Sequence, residues 1–264
     1  MSTVLITGAG SGFGKGAALA LAARGHDVIA TTETEAQAEA LRAEVADAGL
    51  SGLRVEQLDI TTGDVAKVDQ WEIDVLIDNA GAGQFGPLAD VPMEVVRHLF
   101  EVNVFGTLSI TQRVLAQMIP RGAGRVIIVS SVAGLVSAPA IAPYAMTKHA
   151  LEAMGKAMRA ELAPLGIDVC LLNPGPYDTG FNDRMAAAMW EWFGDDSLQS
   201  ATTSTFEMVR DFITVGQLDP AEVVEAMVGL VEAETTQENN LVPPDALGPV
   251  EAAQSQQDCA AVTD

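Results

Sequence analysis

The chain has few cysteines and no long apolar run, and each shortage excludes a class of protein. Its 264 residues include two cysteines, Cys170 in an apolar run and Cys259 near the end, so no disulfide framework is expected. This cysteine usage is typical of a reducing, cytoplasmic setting. No apolar run approaches the roughly 20 residues of a transmembrane helix. The chain opens directly on a strand-like run, so we expect no signal peptide before the fold.

Basic residues are also scarce. Fourteen lysines and arginines stand against 36 aspartates and glutamates, which gives a formal net charge of −22. Such a charge argues against nucleic acid and anionic membranes as partners. No lysine or arginine follows Arg210, and we interpret this asymmetry as a solvated acidic surface. The three histidines, His26, His98 and His149, show no ligand spacing with acids or cysteines, so no metal site is expected.

What the chain does have is apolar content and regular alternation. Hydrophobic residues make up 48% of it, enough for a substantial core. We find no internal repeat and no linker, so one domain is expected over residues 1–247. Beyond Gly248 the Ala/Gln/Asp composition predicts a flexible tail over residues 248–264.

Short apolar strands alternate with longer helical segments, which predicts an α/β fold with a Rossmann-type doubly wound parallel sheet and helices on both faces. The predicted strands cover residues 3–7, 27–31, 53–58, 73–77, 125–129 and 167–172. The predicted helices cover residues 15–24, 35–46, 92–118, 142–165 and 220–233. Residues 239–247 are predicted to form a short edge strand and loop. Ligands of such sheets bind at the carboxyl edge of the strands.

A glycine-rich turn joins the first predicted strand to the first helix. Gly8, Gly12 and Gly14 follow a GxxxGxG pattern that encloses Ser11 and Phe13. Glycines let the backbone turn tightly and approach a pyrophosphate, and the helix N-terminus then offers free N–H groups to the anion. A lone glycine-rich turn would be only a loop, but the flanking strand and helix favour a dinucleotide phosphate site.

Glu33 follows the second predicted strand, where a residue that binds ribose belongs. Its carboxylate would accept a hydrogen bond from a ribose hydroxyl and repel a 2′-phosphate. No arginine or lysine lies at Ser11, Thr32 or Thr34 to bind such a phosphate. We therefore expect NAD in preference to NADP, with NADP as the alternative. The competing interpretation is that Glu33 only begins the exposed helix 35–46.

Tyr144 and Lys148 stand four residues apart, a spacing that places both on one face of a helix with Cβ atoms about 5–6 Å apart. The pKa of a free phenol is near 10, and a fixed ammonium beside it lowers that value. Such a tyrosine can exchange a proton with a substrate oxygen. Alone, the pair would be an aromatic residue with a solvated neighbour; the rest of the chain favours the catalytic interpretation.

Residues 176–216 interrupt the alternation and are rich in aromatic residues and methionine. We interpret the segment as a mobile apolar lid over a substrate. The alternative is an amphipathic helix pair packed on the core, and the two can hold together. The candidate substrate contacts in this segment are Tyr177, Phe181, Met185, Met189 and Trp190.

With these motifs in this order, residues 3–233 resemble the single-domain branch of the short-chain dehydrogenase/reductase family. The resemblance implies that Ser131 positions the substrate oxygen and that Tyr144 is the acid/base. It further implies that Lys148 lowers the tyrosine pKa and binds the nicotinamide ribose, and that Asn103 holds a proton-relay water. The cofactor contacts that it implies are Asp59, Ile60, Asn79, Ala80, Gly81, Pro174, Gly175 and Thr179.

Three positions depart from the family pattern. Asp78 stands where an asparagine is usual, a change expected to cost little. Tyr177 replaces an aliphatic residue and would reshape the nicotinamide wall. Many relatives with a threonine-rich second strand carry arginine in place of Glu33.

The resemblance implies hydride transfer between a nicotinamide cofactor and a carbonyl or alcohol carbon, and the composition of the lid predicts an apolar ketone or alcohol of small to medium size as the substrate. The resemblance also implies a homodimer or homotetramer that uses the helices 92–118 and 142–165. One alternative is a regulatory NAD(P)-binding protein without turnover, against which the intact Ser131, Tyr144 and Lys148 argue. Another is a lyase similar to the halohydrin dehalogenases, which lack the glycine turn and carry arginine in place of Lys148.

Overall fold

The computed structural model describes residues 1–255, with a seven-stranded sheet at the centre. Its strands are β1 (Thr3–Ile6), β2 (Asp27–Thr32), β3 (Leu53–Gln57), β4 (Val75–Asp78), β5 (Gly124–Val129), β6 (Ile167–Pro174) and β7 (Asn239–Val242). They lie in the order β3-β2-β1-β4-β5-β6-β7, and all neighbours are parallel. The predicted Rossmann-type sheet and its edge strand are confirmed.

Helices cover both faces of this sheet. They are α1 (Gly12–Ala23), α2 (Glu35–Asp47), α3 (Met93–Phe100), α4 (Thr107–Arg121), α5 (Ala142–Leu162), α6 (Phe181–Ala188), α7 (Thr203–Thr214), α8 (Ala221–Glu232) and α9 (Leu247–Ser255). α1, α2 and α8 pack on one face, and α4 and α5 pack on the other. Within residues 1–255, no helix combines the length and apolar character needed to cross a membrane.

The central strand β1 shows why these strands are continuous apolar runs. Val4, Leu5 and Ile6 are all fully buried. Because side chains alternate across a strand, Val4 and Ile6 face the α1 side while Leu5 faces the α4 side. A strand covered on both faces needs apolar residues at every position, so a strict apolar–polar alternation is absent from it.

The predicted long helix over residues 92–118 is present as one uninterrupted helical segment, but it is not α-helical throughout. The structure has α3, then a π-helical turn at Glu101–Gly106, and then α4. A Cβ on Gly106 would lie 2.9 Å from Ile60, so the turn approaches the end of β3 closely. Local π turns of this kind are frequent at functional sites, and this one carries Asn103.

The predicted flexible tail and the predicted lid both contain helices in the structure. The beginning of the predicted flexible tail is helical, as α9, and its Val250 is buried. The rest of that tail, with Cys259, lies outside the described residues. The predicted lid contains α6 and α7, which pack on Phe85 and Tyr144 in a third apolar cluster. The packing alternative therefore holds, and lid movement stays a prediction.

Sheet topology fixes where a ligand can bind. β1 lies between β2 and β4, so the connection that leaves β1 runs toward β2, while the connection that leaves β4 runs the opposite way, toward β5. The turns that follow these strands diverge at that point and leave a crevice. The glycine turn follows β1, and residues 79–81 follow β4.

Candidate active site

A cleft of about 510 Å³ opens at this edge of the sheet and collects most of the predicted site residues. Those that line it are Gly8, Ser11, Gly12, Phe13, Glu33, Asp59, Ile60, Asn79, Ala80, Gly81, Ser131, Tyr144, Lys148, Pro174, Gly175, Tyr177, Thr179, Phe181 and Met185. Gly14, Asn103, Met189 and Trp190 are outside this lining. The glycine turn and the Tyr144–Lys148 pair thus share one cleft.

The glycine turn is held tightly against the end of β4. The Asn79 side-chain amide donates to the carbonyls of Thr7 and Gly8, at 2.9 and 3.0 Å. Gly8 has a φ of +66°, which favours glycine, and a Cβ on it would lie 2.7 Å from the Ala80 Cα atom. A Cβ on Gly14 would lie 2.5 Å from the Asn79 amide nitrogen. Glycine is therefore required sterically at both positions.

The cradle left by these glycines fits a dinucleotide. Ser11 caps α1 without a side-chain hydrogen bond, and the first turn of α1 contains no acidic residue. Its main-chain N–H groups are therefore available for a phosphate, at the positive end of the helix dipole. At the β2 end of the cleft, Glu33 is exposed and lines the wall beside Gln37 and Asp59. These uncharged or acidic neighbours fit a ribose hydroxyl better than a 2′-phosphate.

Tyr144, Lys148 and Ser131 meet at the other end of the cleft. Tyr144 and Lys148 are buried, at 8% and 5% exposure, with the Lys148 amine 5.6 Å from the centroid of the tyrosine ring. That amine donates to the Val129 carbonyl at 2.9 Å. The Ser131 hydroxyl donates to the Pro174 carbonyl at 3.3 Å and accepts from the Ala133 N–H at 3.1 Å.

The electrostatics of this group differ from the expectation for Tyr144. Burial raises the pKa of the Tyr144 phenol above its ordinary value, and a hydrogen bond with Ser131 opposes that rise. The predicted lowering of the Tyr144 pKa is therefore wrong, because desolvation of the phenolate is the dominant effect. Burial also lowers the pKa of Lys148 to about 8, against the attraction of Glu152.

Glu152 joins α5, the helix that carries Tyr144 and Lys148, to β6 and β7. It lies one turn after Lys148 on α5 and is 5% exposed. One carboxylate oxygen accepts from Asn173 at 2.6 Å, and the other accepts from Asn239 at 2.7 Å. Asn173 also donates to the Ser131 carbonyl at 3.2 Å. The buried Glu152 carboxylate thus stabilises the charge of Lys148 and, through Asn173, helps to position Ser131.

The side chain of Asn103 makes three of its four possible hydrogen bonds within the protein. Its oxygen accepts from the Ala82 N–H at 2.7 Å. Its nitrogen donates to the Ala82 carbonyl at 2.8 Å and to the Thr147 hydroxyl at 2.9 Å. It joins the loop after β4 to α5. A relay water could use only the second lone pair of the Asn103 oxygen or the main chain around it.

Asp78 contradicts the expectation that this departure costs little. Its carboxyl is 3% exposed, and one of its oxygens has no hydrogen-bond partner among residues 1–255. The other oxygen lies 2.6 Å from the Thr111 hydroxyl. Burial raises the pKa of Asp78 to about 7. An unpaired buried carboxylate is costly, so the group favours its neutral form.

The lid residues divide into those that face Tyr144 and those that do not. The Phe181 ring centroid lies 5.8 Å from that of Tyr144. Met189 is buried in the third apolar cluster, and Trp190 is half exposed, at 48%. The Tyr177 ring lines the cleft edge-on to Phe13, but its hydroxyl donates to Glu222 at 2.7 Å, within the scaffold.

Sequence reasoning missed several wall residues. The loop 132–141 and α7 contribute Val132, Val136, Ile141, Val209, Phe212 and Ile213, while α3 and α6 contribute His98 and Arg184. The apolar ones have no local signal, since isolated valines and isoleucines occur throughout the core. Arg184 did have one: it is one of only two cations, with Arg210, in a lid segment whose other charged residues are all acidic.

The family comparison agrees with this geometry. The family model described as short chain dehydrogenase matches residues 2–190. The chain belongs to the short-chain dehydrogenase family. The resemblance inferred from the motifs is confirmed, and the matched residues include the glycine turn, Ser131, Tyr144 and Lys148. The match ends before α7, α8 and β7, which complete the wall and the sheet.

Individual short-chain dehydrogenase relatives extend the comparison. Over 179 residues, the chain is 41% identical to "Uncharacterized oxidoreductase YusZ" of Bacillus subtilis, covering 64% of this chain and 63% of that protein. It thus spans less than two thirds of the length of this relative. It is 33% identical to human "Retinol dehydrogenase 8" over 223 residues, which are 79% of this chain and 70% of that protein.

Solved short-chain dehydrogenase structures share the architecture. A crystal structure of a short-chain dehydrogenase from Streptomyces avermitilis superposes with a TM-score of 0.81 at 30% identity. The superposition covers 97% of this chain and 94% of the other. Further structural neighbours include one in complex with NAD and one in complex with NADPH.

Proposed function

We propose that the protein is an NAD(P)-dependent oxidoreductase that transfers a hydride between a nicotinamide and the carbonyl or alcohol carbon of an apolar small molecule. The observation that carries the proposal is the shared cleft. Tyr144 and Ser131 face the space that begins at the glycine turn. An acid/base group and a dinucleotide site so placed fit redox chemistry at an oxygen-bearing carbon.

The proposed proton chemistry follows from the protonation state of Tyr144. A phenol whose pKa is raised by burial stays protonated at neutral pH. It can donate a hydrogen bond to a substrate carbonyl and release its proton as negative charge develops on that oxygen. The Ser131 hydroxyl would hold the same oxygen. The nicotinamide, when bound, supplies or takes the hydride.

Lys148 would act on both ligand and acid. Its amine lies over the Tyr144 ring, so its charge would favour the phenolate as the proton leaves. It also lines the cleft, where a ribose hydroxyl could accept from it. A lysine with a pKa of about 8 remains mostly charged at neutral pH, and Glu152 supports that charge.

The proposed cofactor is NAD. Glu33 would accept from the adenosine ribose, and Asp59 and Ile60 would border the adenine, as the family resemblance implies. Solved neighbours bind NAD or NADPH, so the preference rests on Glu33. Its carboxylate would repel a 2′-phosphate in a chain that is already strongly acidic.

The proposed substrate is an apolar ketone or alcohol of small to medium size. The wall opposite Tyr144 is formed by apolar side chains from α6 and α7, among them Phe181, Met185 and Ile213. Burying such a substrate against them is favourable at about 25 cal/mol per Å². The relative named retinol dehydrogenase supports an apolar alcohol.

Tyr144→Phe tests this function. Turnover of a ketone panel, followed by nicotinamide absorbance, should fall by about 10²–10⁴-fold, the usual contribution of a general acid. NADH binding, measured by calorimetry, should persist. Tyr177→Phe is the matched control, since that hydroxyl contacts Glu222, and it should retain turnover. Full turnover by Tyr144→Phe would defeat the assigned role.

A further inference from the structure

Most cations of this acidic chain lie beside a carboxylate. Every lysine and arginine precedes residue 211, within the part of the chain that the structure describes. All but three have a carboxylate oxygen of a described residue within 4.0 Å. The exceptions are Arg97, Lys148 and Arg184, and the last two line the cleft. The chain has 36 acidic residues, so two cations that line the cleft with no carboxylate oxygen within 4.0 Å among the described residues indicate an anionic ligand.

Arg184 lies where the lid meets the glycine turn. On α6 its side chain leans toward the helix N-terminus, and its Nη1 atom is 2.9 Å from the point where Gly180 would carry a Cβ. Thr179, the residue before Gly180, lies close to the glycine turn: a Cβ on Gly12 would lie 3.2 Å from the Thr179 Cβ atom. The guanidinium is therefore beside the segment that contacts the phosphate cradle.

We propose that Arg184 binds the diphosphate of the dinucleotide and thereby fixes α6 over the cleft. This inference rests on the proposed function. A diphosphate entering a chain of net charge −22 meets long-range repulsion, which a local cation offsets. A guanidinium presents a planar fork of donors that matches phosphate oxygens, and its exposure leaves that fork free to turn toward them.

This contact would couple cofactor binding to the substrate wall. α6 carries Phe181, which faces Tyr144, and Met185, whose carbonyl accepts from the Phe85 N–H at 3.2 Å. A diphosphate held by Arg184 would set the position of that helix before substrate arrives. Dinucleotide binding would then precede and promote binding of the apolar substrate.

Calorimetric titration of the full chain with NADH, ADP-ribose and adenosine, without substrate, tests the proposal. Arg184→Gln should weaken NADH and ADP-ribose by about tenfold or more, as expected for a lost hydrogen bond between charged groups. Adenosine, which has no diphosphate, should bind as to the wild type. Arg184→Lys keeps the charge without the fork and should recover part of the loss. Arg97→Gln, which removes the other exposed cation without an acidic partner, should change nothing.

The alternative outcomes separate this inference from the function on which it rests. If the wild type binds none of the three compounds, the dinucleotide site fails and the proposed function fails with it. If wild type and Arg184→Gln bind NADH equally, only the role of Arg184 is overturned. Equal NADH binding with a raised KM confined to carboxylate-bearing substrates would assign the guanidinium to the substrate instead. Circular dichroism checks that each variant is folded.

Discussion

Asp78 shows how one buried group can set a pH dependence. The Thr111 hydroxyl lies 2.6 Å from the Asp78 carboxyl and 2.7 Å from the Thr107 carbonyl. It has one proton and cannot donate to both. A protonated Asp78 resolves this conflict, because it donates to Thr111 while Thr111 donates to Thr107. Burial raises the pKa of the Asp78 carboxyl to about 7, in agreement with the protonated form that this geometry favours.

Asp78→Asn should therefore stabilise the fold at alkaline pH. A folded-state pKa above the unfolded value means that the stability from this group is complete below about pH 4. It is lost as pH rises through 7, by at most about 1.4 kcal/mol per pH unit. Asparagine stays neutral and can still donate to Thr111. The difference in Tm between variant and wild type should widen from pH 5 to pH 8.

The matched control for this prediction is Asp195→Asn, since Asp195 is exposed. Its melting temperature should follow the wild type at every pH. Parallel curves for Asp78→Asn and wild type over the whole range would show that Asp78 is charged without penalty, against the prediction.

Contacts between residues that are close in sequence could be predicted, and contacts between residues that are distant in sequence could not. The Tyr144–Lys148 pair lies within one helix, so its spacing was informative. The Glu152 contacts were not predictable, because Asn239 approaches that carboxylate only after β7 has joined the sheet. Asp78 was misjudged for the same reason: its environment is formed by α4, which is distant in sequence and close in space.

At the scale of elements, the glycines of two helices have opposite roles. Gly14 lies in the first turn of α1 against Asn79 and has no room for a side chain. A Cβ on Gly229 of α8, in contrast, would have no atom of residues 1–255 within 4 Å apart from its own helix backbone and its two chain neighbours. Glycine within a helix costs about 1 kcal/mol relative to alanine. The first glycine is thus required by packing, and the second only weakens its helix.

Gly229→Ala should raise the free energy of unfolding by about 0.5–1 kcal/mol, and Gly14→Ala should lower it and abolish NADH binding. Urea unfolding and calorimetry measure the two quantities. Both substitutions add one methyl group to a helix, so each serves as the control for the other. A neutral Gly14→Ala would mean that Asn79 can move aside, and the turn would not be rigid.

Element types followed from the sequence because apolar runs and turn signals are local. The π-helical turn between α3 and α4 did not, since Glu101–Gly106 continue the helix without a proline to mark a change. What forces it is the Asn103 contact to Ala82 together with the close approach of Gly106 to Ile60. Both contacts are between elements.

At the scale of the molecule, apolar side chains remain exposed on the segments predicted to form a subunit interface. Phe105 is 55% exposed, Met146 38% and Leu165 45%. Covering such side chains with a second copy would be favourable, and the surrounding acidic surface would limit other associations. The predicted homodimer or homotetramer remains a prediction.

Phe105→Asp should shift the protein to a monomer of 27.6 kDa, because a buried unpaired carboxylate opposes association. Light scattering after size exclusion measures the mass. Met208→Asp is the control, as Met208 is exposed to 71% on α7, away from those segments. A wild type that is already monomeric would refute the assembly, and a loss of mass in the control would refute its location.

The position of β7 has a consequence for biosynthesis. Asn239 meets Glu152 across 87 positions of sequence, so a nascent chain on the ribosome displays α5 long before this amide emerges. Until then the carboxylate behind Lys148 lacks one of its two amide partners. Premature termination before residue 239 would yield a polypeptide that contains Tyr144, Lys148 and the nucleotide cradle. Its Glu152 carboxylate, one turn after Lys148, would lack the hydrogen bond from Asn239.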